Sequence, residues 1–384
     1  MTSHVKAQMA PIPFIDLAAQ RQRIGAQIDQ AVQGVLNSCR FINGPEVTLL
    51  EERLAAFAGS KYAVACSSGT DALALLLMAW DVKAGDAVFC PAFTFCATAE
   101  VVPWVGATPV FVDVKEDTFN MDPESLELAI DVAKDQGLIP KVVIPVDLFG
   151  QPADYDALLP IAERHGLKVL ADTAQGFGGT WNNKRTGSIG DAAATSFFPA
   201  KPLGCYGDGG AIFTDDAELV TVLKSVREHG QGVDKYQNVR IGMTARLDTI
   251  QAAVLLEKLA IFEEEIAARD KVAARYNAQL ADVAVVPFVD PRATSVWAQY
   301  TIRLAPGRRD ALAEALKAEG IPTAVYYRIP MHLQPAYGAY PAAGAILPVA
   351  ETLCEEVISL PMHAYLDEAT QDRIIAAVRR ALAA

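Results

Sequence analysis

Apolar and polar residues follow two rhythms along this chain. Short, nearly continuous apolar runs appear at YAVAC (62–66), AVFCP (87–91), PVFVDV (109–114), KVVIPV (141–146) and LKVLAD (167–172). A strand solvated on one face would alternate, so these runs predict strands buried on both faces. Between them, segments near 70–80, 95–104, 123–135 and 153–165 carry apolar residues at helical spacing. Strand–helix alternation of this kind predicts an α/β architecture with a mostly parallel sheet covered on both sides. AAATSFF (192–198) and GAIFT (210–214) add two strands with no long helix between them. At 246–280 the rhythm changes: RLDTIQAAVLLEKLAIFEEEIAARDKVAARYNAQL keeps helical spacing for about 35 residues, too long for an ordinary helix, which predicts that it crosses a domain boundary. VWAQYTIRL (296–304), a helix near 308–319 and a terminal helix near 367–383 then suit a smaller α+β unit. The expected division is an N-terminal arm plus large domain over 1–250 and a small domain over 251–384.

Composition narrows the partners. A chain of 384 residues, 52% hydrophobic and 21% charged, can bury a substantial core. The net charge of −13 argues against nucleic-acid and anionic-membrane partners, though a local pocket can still be positive. Six cysteines are scattered without a CxxC pair and read as reduced, buried or half-buried thiols of a cytoplasmic protein. The five histidines form no metal-like cluster, so no metal is expected. The opening MTSHVKAQMAPIPFIDL lacks the apolar stretch of a secretory leader, and no apolar run approaches membrane-spanning length.

One lysine sits in an unusual setting. In ATSFFPAKPLGCYGDGGAIFT (194–214), Lys201 follows two phenylalanines, lies between prolines 199 and 202, and precedes glycines 204, 207, 209 and 210. A buried ammonium must reach water, pair with an acid, or lose its proton. The plain alternative is a surface loop lysine. The residue before a proline is biased to extended geometry, which puts Lys201 at a strand end or in a loop, and the glycines allow other groups to approach closely. A desolvated lysine of lowered pKa is a nucleophile for carbonyls, as in Schiff-base chemistry.

Ligands of open α/β sheets gather at the carboxyl ends of the strands, and these ends supply fitting partners. The first strand runs into CSSGTDALALLLMAW, where Ser67, Ser68, Gly69 and Thr70 precede a strong helix. Free N–H groups, the positive helix end and a glycine make an anion site, or a plain N-cap. LKVLAD ends in Asp172, with Gln175 three residues on; the carboxylate either caps the next segment or pairs with a cationic ring nitrogen. CPAFTFCATAE sets Phe93 and Phe95 after another strand end, as core residues or as cover for a flat ring. A Schiff-base lysine, an acid for a pyridinium, a phosphate nest and a stacking aromatic are together the requirements of pyridoxal 5′-phosphate.

The chain also resembles the DegT/StrS-type nucleotide-sugar aminotransferases. The likeness is carried by FINGPEVTLLEERLA, SSGTDAL, PAFTFCATA, ADTAQGFGG, SFFPAKPLGCYGDGGAIFT and RLDTIQAAVL, and runs from FIDLAAQRQRI to SLPMHAYLD. It implies the aspartate aminotransferase fold (pyridoxal phosphate fold type I). By the same resemblance Lys201 bonds the cofactor's aldehyde carbon, Asp172 partners the ring nitrogen, Gln175 lies near the ring hydroxyl and Phe95 stacks on the ring. Ser68, Gly69, Thr70 and Ser196 then hold the phosphate, and Phe41 and Asn43 lie on the substrate side. Members are homodimers whose partner subunit completes the phosphate site from a G-x-N-x-R segment; this chain reads GMTAR, so Thr244 replaces the asparagine, with Arg246 two residues on. Some relatives are dehydratases with histidine in place of the lysine, so Lys201 favours transamination; a cofactor-binding regulatory or dehydratase relative without transaminase turnover is the alternative from a different class. The resemblance further implies L-glutamate as donor and UDP-2-acetamido-2-deoxy-3-oxo-glucuronate as acceptor, in surface-polysaccharide (O-antigen) synthesis, with a dTDP-linked 3-keto-6-deoxyhexose as the near alternative. VYYRIPMHLQP (325–335) contributes Tyr326, Tyr327, Arg328 and His332 in one irregular segment. Relatives often have proline at 328; an arginine there would read a uronate carboxylate through its planar fork, or is simply a solvated surface residue.

Overall fold

The computed structural model describes residues 12–234 and 236–383. The expected absence of a leader and the start of the N-terminal arm fall on residues 1–11, outside the described residues. The apolar runs form the strands β1 (Tyr62–Cys66), β2 (Asp86–Pro91), β3 (Thr108–Val112), β4 (Ile139–Val143) and β5 (Lys168–Asp172). Two-residue strands β6 (Thr180–Trp181) and β7 (Lys184–Arg185) follow, then β8 (Ala192–Ser196), β9 (Gly210–Thr214), the short β10 (Ala293–Thr294), β11 (Tyr300–Arg303) and β12 (Val357–Leu360). Seven of them build one sheet in the order β1-β9-β8-β5-β4-β2-β3. Only β9 is antiparallel to its neighbours, β1 and β8; the remaining pairs are parallel.

Both sheet faces are covered, as the unbroken apolar runs require. Successive residues of β1 go to opposite sides: Val64 and Cys66 pack with Leu73, Leu76, Val101 and Leu223, Ala63 and Ala65 with Leu50, Leu54, Leu126 and Phe213. A third cluster joins Tyr276, Tyr300, Ile302, Leu316, Ile358 and Val378 around the β11–β12 pair. Some of the helices begin where side chains cap free N–H groups. Ser68 accepts from the Asp71 N–H at the start of Gly69–Ala79, and Asp122 with Pro123 starts Pro123–Asp135.

The helical rhythm over 246–280 is two helices, Thr249–Leu259 and Phe262–Leu280. Ala252 and Leu255 of the first pack under the large sheet, whereas Val272, Ala273, Tyr276 and Leu280 of the second join the third cluster. Phe262 still packs under the large sheet, with Ile266 against it, so the packing partner changes within the second helix, between Ile266 and Val272. A periodicity shared by both helices conceals the Ala260–Ile261 break. Cys66, Cys90, Cys205 and Cys354 are buried and Cys96 is half-buried, but Cys39 is exposed, against the expectation for it. It occupies the left-handed C-cap of Leu17–Ser38, a solvent-facing helix end. Among the described residues no helix is long and apolar enough to cross a membrane.

Candidate active site

Because every strand of the large sheet except β9 runs the same way, the carboxyl ends of β1, β2, β5 and β8 share one edge, where β9 begins. Asp172 closes β5 there at 5% exposure. Its Oδ1 accepts from the Ala174 N–H at 3.1 Å and its Oδ2 from the Thr98 hydroxyl at 2.9 Å. Burial pushes this carboxyl upward, while the Ala174 N–H, Thr98 and the Lys201 ammonium pull it back toward ionisation. Lys201 is half-buried. Burial lowers its pKa against the opposing pull of Asp172, and among the described residues its ammonium has no hydrogen-bond or ion-pair partner. A lysine losing solvation without a direct partner tends toward the free amine, the state a nucleophile needs.

The phosphate nest is equally concrete. Gly69 and Thr70 are the first two residues of their helix, where amide N–H groups have no intrahelical acceptor. A Cβ on Gly69 would lie 2.6 Å from the Ser196 Cβ, so only glycine lets the helix start touch the end of β8. Ser68 accepts from the Asp71 N–H at 3.0 Å and Ser196 from the Phe198 N–H at 3.2 Å, leaving both hydroxyl protons free to donate. The two phenylalanines after β2 part company: Phe93 is fully buried, whereas Phe95 is 52% exposed. Gln175 is locked, its Oε1 accepting from the Phe149 N–H at 2.9 Å and its Nε2 donating to the Tyr327 hydroxyl at 3.1 Å. Tyr327 rests edge-on against Phe93, with ring centroids 5.9 Å apart. A reactive amine, a buried acceptor of charge, a nest that a Cβ would fill and an open aromatic face all fit pyridoxal phosphate.

The other expected residues lie differently. Asn43 donates to Glu228 at 2.8 Å and the Phe41 carbonyl accepts from the Thr249 N–H; neither bonds to the residues around Asp172. Thr244 is exposed and its hydroxyl accepts from Arg246 at 3.1 Å, one residue from Ala245, whose carbonyl accepts from Ser67 N–H at 3.2 Å. Arg328 is exposed and pairs with Asp310 at 3.3 Å, the arrangement of the plain surface alternative. His332 is buried, 3.2 Å from Glu351, with its Nδ1 unpartnered; the backbone beside it is tied to the end of β2 by the Met331 N–H on the Ala92 carbonyl at 2.7 Å. Thr98 was not foreseen. The spacing of Thr94 and Thr98 is one helical turn, but hydroxyls at that spacing do not announce an acid 74 residues away.

Comparison with known proteins agrees with this geometry. The chain is 49% identical over 368 residues to the UDP-2-acetamido-2-deoxy-3-oxo-D-glucuronate aminotransferase of Pseudomonas aeruginosa, covering 96% of this chain and 99% of that one. It is 41% identical over 368 residues to a pleiotropic regulatory protein of Geobacillus stearothermophilus, covering 95% and 96%. A crystal structure of a DegT DnrJ EryC1 StrS aminotransferase from Brucella abortus superposes with a TM-score of 0.94 at 53% identity, covering 96% of this chain and 99% of that one. Residues 22–379 match the family as a whole, and the chain thus belongs to the pyridoxal phosphate-dependent DegT/DnrJ/EryC1/StrS aminotransferase family.

Proposed function

We propose that this protein transfers an amino group from L-glutamate to the 3-keto carbon of UDP-2-acetamido-2-deoxy-3-oxo-D-glucuronate, in cytoplasmic synthesis of a surface polysaccharide such as O-antigen. The observation that carries the reading is Lys201, unpaired and half-buried, set against buried Asp172 at the edge where the strands end. The cofactor supplies an electron sink for the carbon that loses its proton. The side chains do the rest. Gly69 and Thr70 N–H groups and the Ser68 and Ser196 hydroxyls would bind the phosphate. Asp172 would hold a proton on the ring nitrogen, Phe95 would offer its exposed ring as a stacking face, and Gln175, bonded to Tyr327, would meet the ring hydroxyl. The Lys201 amine would hold and pass on the proton lost by the substrate carbon, a task suited to an amine whose pKa burial has lowered. Six unpaired cysteines accord with a reducing compartment.

Arg328 is our candidate for the uronate carboxylate. Its ion pair with Asp310 is exposed on both sides, and such pairs contribute only about 0–1 kcal/mol, so a substrate carboxylate can replace it. Arg328→Ala should weaken a uronate by roughly 1.5–3 kcal/mol and leave a neutral 6-deoxy sugar unaffected. Tyr327 and His332 flank that segment. The active unit is a homodimer in this reading. Ile42 at 46% exposure and Ile241 at 88% leave apolar surface uncovered beside the Asn43 and Thr244 segments, which would reach the partner's phosphate site. The deciding experiment is a product assay against a panel of keto nucleotide sugars, with borohydride trapping on Lys201. A regulator would bind cofactor without cycling it when glutamate and sugar are supplied; turnover of the dTDP-linked 3-keto sugar alone would reassign the substrate.

A further inference from the structure

Asp172 must stay ionised to hold a pyridinium, yet it is 5% exposed, and burial works against its charge. Two direct donors oppose that: the Ala174 N–H and the Thr98 hydroxyl. Thr98 is itself 1% exposed, and its Oγ1 lies 3.1 Å from the Oγ1 of Thr94, 3% exposed. A hydroxyl has one proton. An ionised carboxylate can only accept, so the Thr98 proton points to Asp172, and Thr94 must supply the proton of the second contact. The order is therefore fixed as Thr94 O–H to Thr98 O–H to Asp172 Oδ2, a buried chain in which each bond polarises the next. The same turn carries Phe95, and the Phe95 carbonyl accepts from the Thr98 N–H at 3.3 Å. Thr98 thus ties the exposed aromatic and the buried acid to one helical turn, at the start of Ala97–Trp104.

We propose that Thr98 is a positioning residue of the transamination site, holding Asp172 charged and aimed through a proton chain that begins at Thr94. The inference rests on the reading of Asp172 as the partner of the ring nitrogen. The other groups that bear on Asp172 are Lys201, which favours its charge; Asp147, whose buried carboxyl the Asp172 charge helps to keep protonated; and Cys90, Tyr155 and Tyr327, which burial keeps protonated.

The test uses pyridoxamine 5′-phosphate binding to cofactor-free full-length protein, because this ligand needs no bond to Lys201. Thr98→Val removes the hydroxyl while nearly keeping the shape; Thr98→Ser keeps the hydroxyl and drops the methyl. Thr98→Val should weaken binding about tenfold at pH 7.5, the lower end for a hydrogen bond to a charged group. It should also move the acid limb of the binding profile to higher pH, since Asp172 then takes up a proton more readily. Thr98→Ser should bind like the parent. Thr94→Val, which leaves the direct bond in place, should shift both readouts the same way by about two- to threefold, and it carries the test if Thr98→Val does not fold. Unchanged binding in both valine variants, or a serine variant as weak as the valine one, would overturn the proposal. A parent protein that binds neither form of the cofactor would overturn the active-site reading as well.

Discussion

His363 offers a sharp test of how burial sets charge in this protein. It follows β12, is 4% exposed, and neither ring nitrogen has a partner among the described residues. With Asp16, Gln20, Arg269 and Tyr365 it lines a cavity beside the Lys201 loop. Burial pushes its pKa from 6.5 down to about 4; Asp16 opposes the shift and the Arg269 cation adds to it. The unfolded chain therefore takes up a proton near pH 6.5 that the folded chain refuses until about pH 4. Stability from this group is complete above 6.5 and is lost as pH falls through that window. The gap between 6.5 and about 4, at 1.36 kcal/mol for each pH unit, makes about 3 kcal/mol, a large share of a typical folding free energy. Asp147 runs the other way. Burial lifts it from 3.8 to about 7, so its contribution is present at low pH and lost as pH rises toward 7. The two windows overlap and their slopes oppose, which masks both in the parent protein. His363→Phe removes one of them. Urea unfolding of the cofactor-free protein at fixed concentration, repeated from pH 4 to 7, should show the variant gaining about 3 kcal/mol on the parent as pH falls from 6.5 to 4. A difference that stays constant, or grows toward high pH, would refute the reasoning.

Gly69→Ala should loosen cofactor binding by about tenfold or more in a pyridoxal phosphate titration. Its Cβ meets Ser196 at 2.6 Å, and overpacking of about 1–3 kcal/mol exceeds the helix-propensity gain of up to about 1 kcal/mol. Gly34→Ala, in a helix with nothing within 4 Å, should instead raise the melting temperature. Glu51 accepts from Arg227 at 2.8 Å and from the Ala65 N–H at 2.9 Å, with Arg227 6% exposed. Glu51→Gln leaves buried Arg227 with only the more distant Glu228, at 3.9 Å, to balance it. It should cost about 3 kcal/mol by urea unfolding, the lower end for breaking a buried pair, and more than replacing both partners by methionine. Asp172→Asn should cut turnover by orders of magnitude in a single-turnover assay with little change in melting; a variant that unfolds would mark Asp172 as a structural cap.

The sequence by itself determined the seven strands of the large sheet, because a run buried on both faces is apolar throughout and shows in any window a few residues wide; the short β6, β7 and β10, and β12, did not show in it. It marked one helix start in the same local way, through the Ser68 cap, and it singled out Lys201 from its neighbours alone. Local patterns could not separate Phe93 from Phe95, since both follow the same strand, nor locate the break at Ala260–Ile261 inside an unbroken apolar rhythm. Whether Arg328 faces a ligand or Asp310 depended on where Arg309–Ala318 packs. The approach of Thr98 to Asp172 and of Gly69 to Ser196 depended on the strand order β1-β9-β8-β5-β4-β2-β3, which is not the order of the chain. Periodicity records which face of an element is buried. What lies against that face is chosen by the long-range pairing of strands, and at this site that pairing decided which candidates meet.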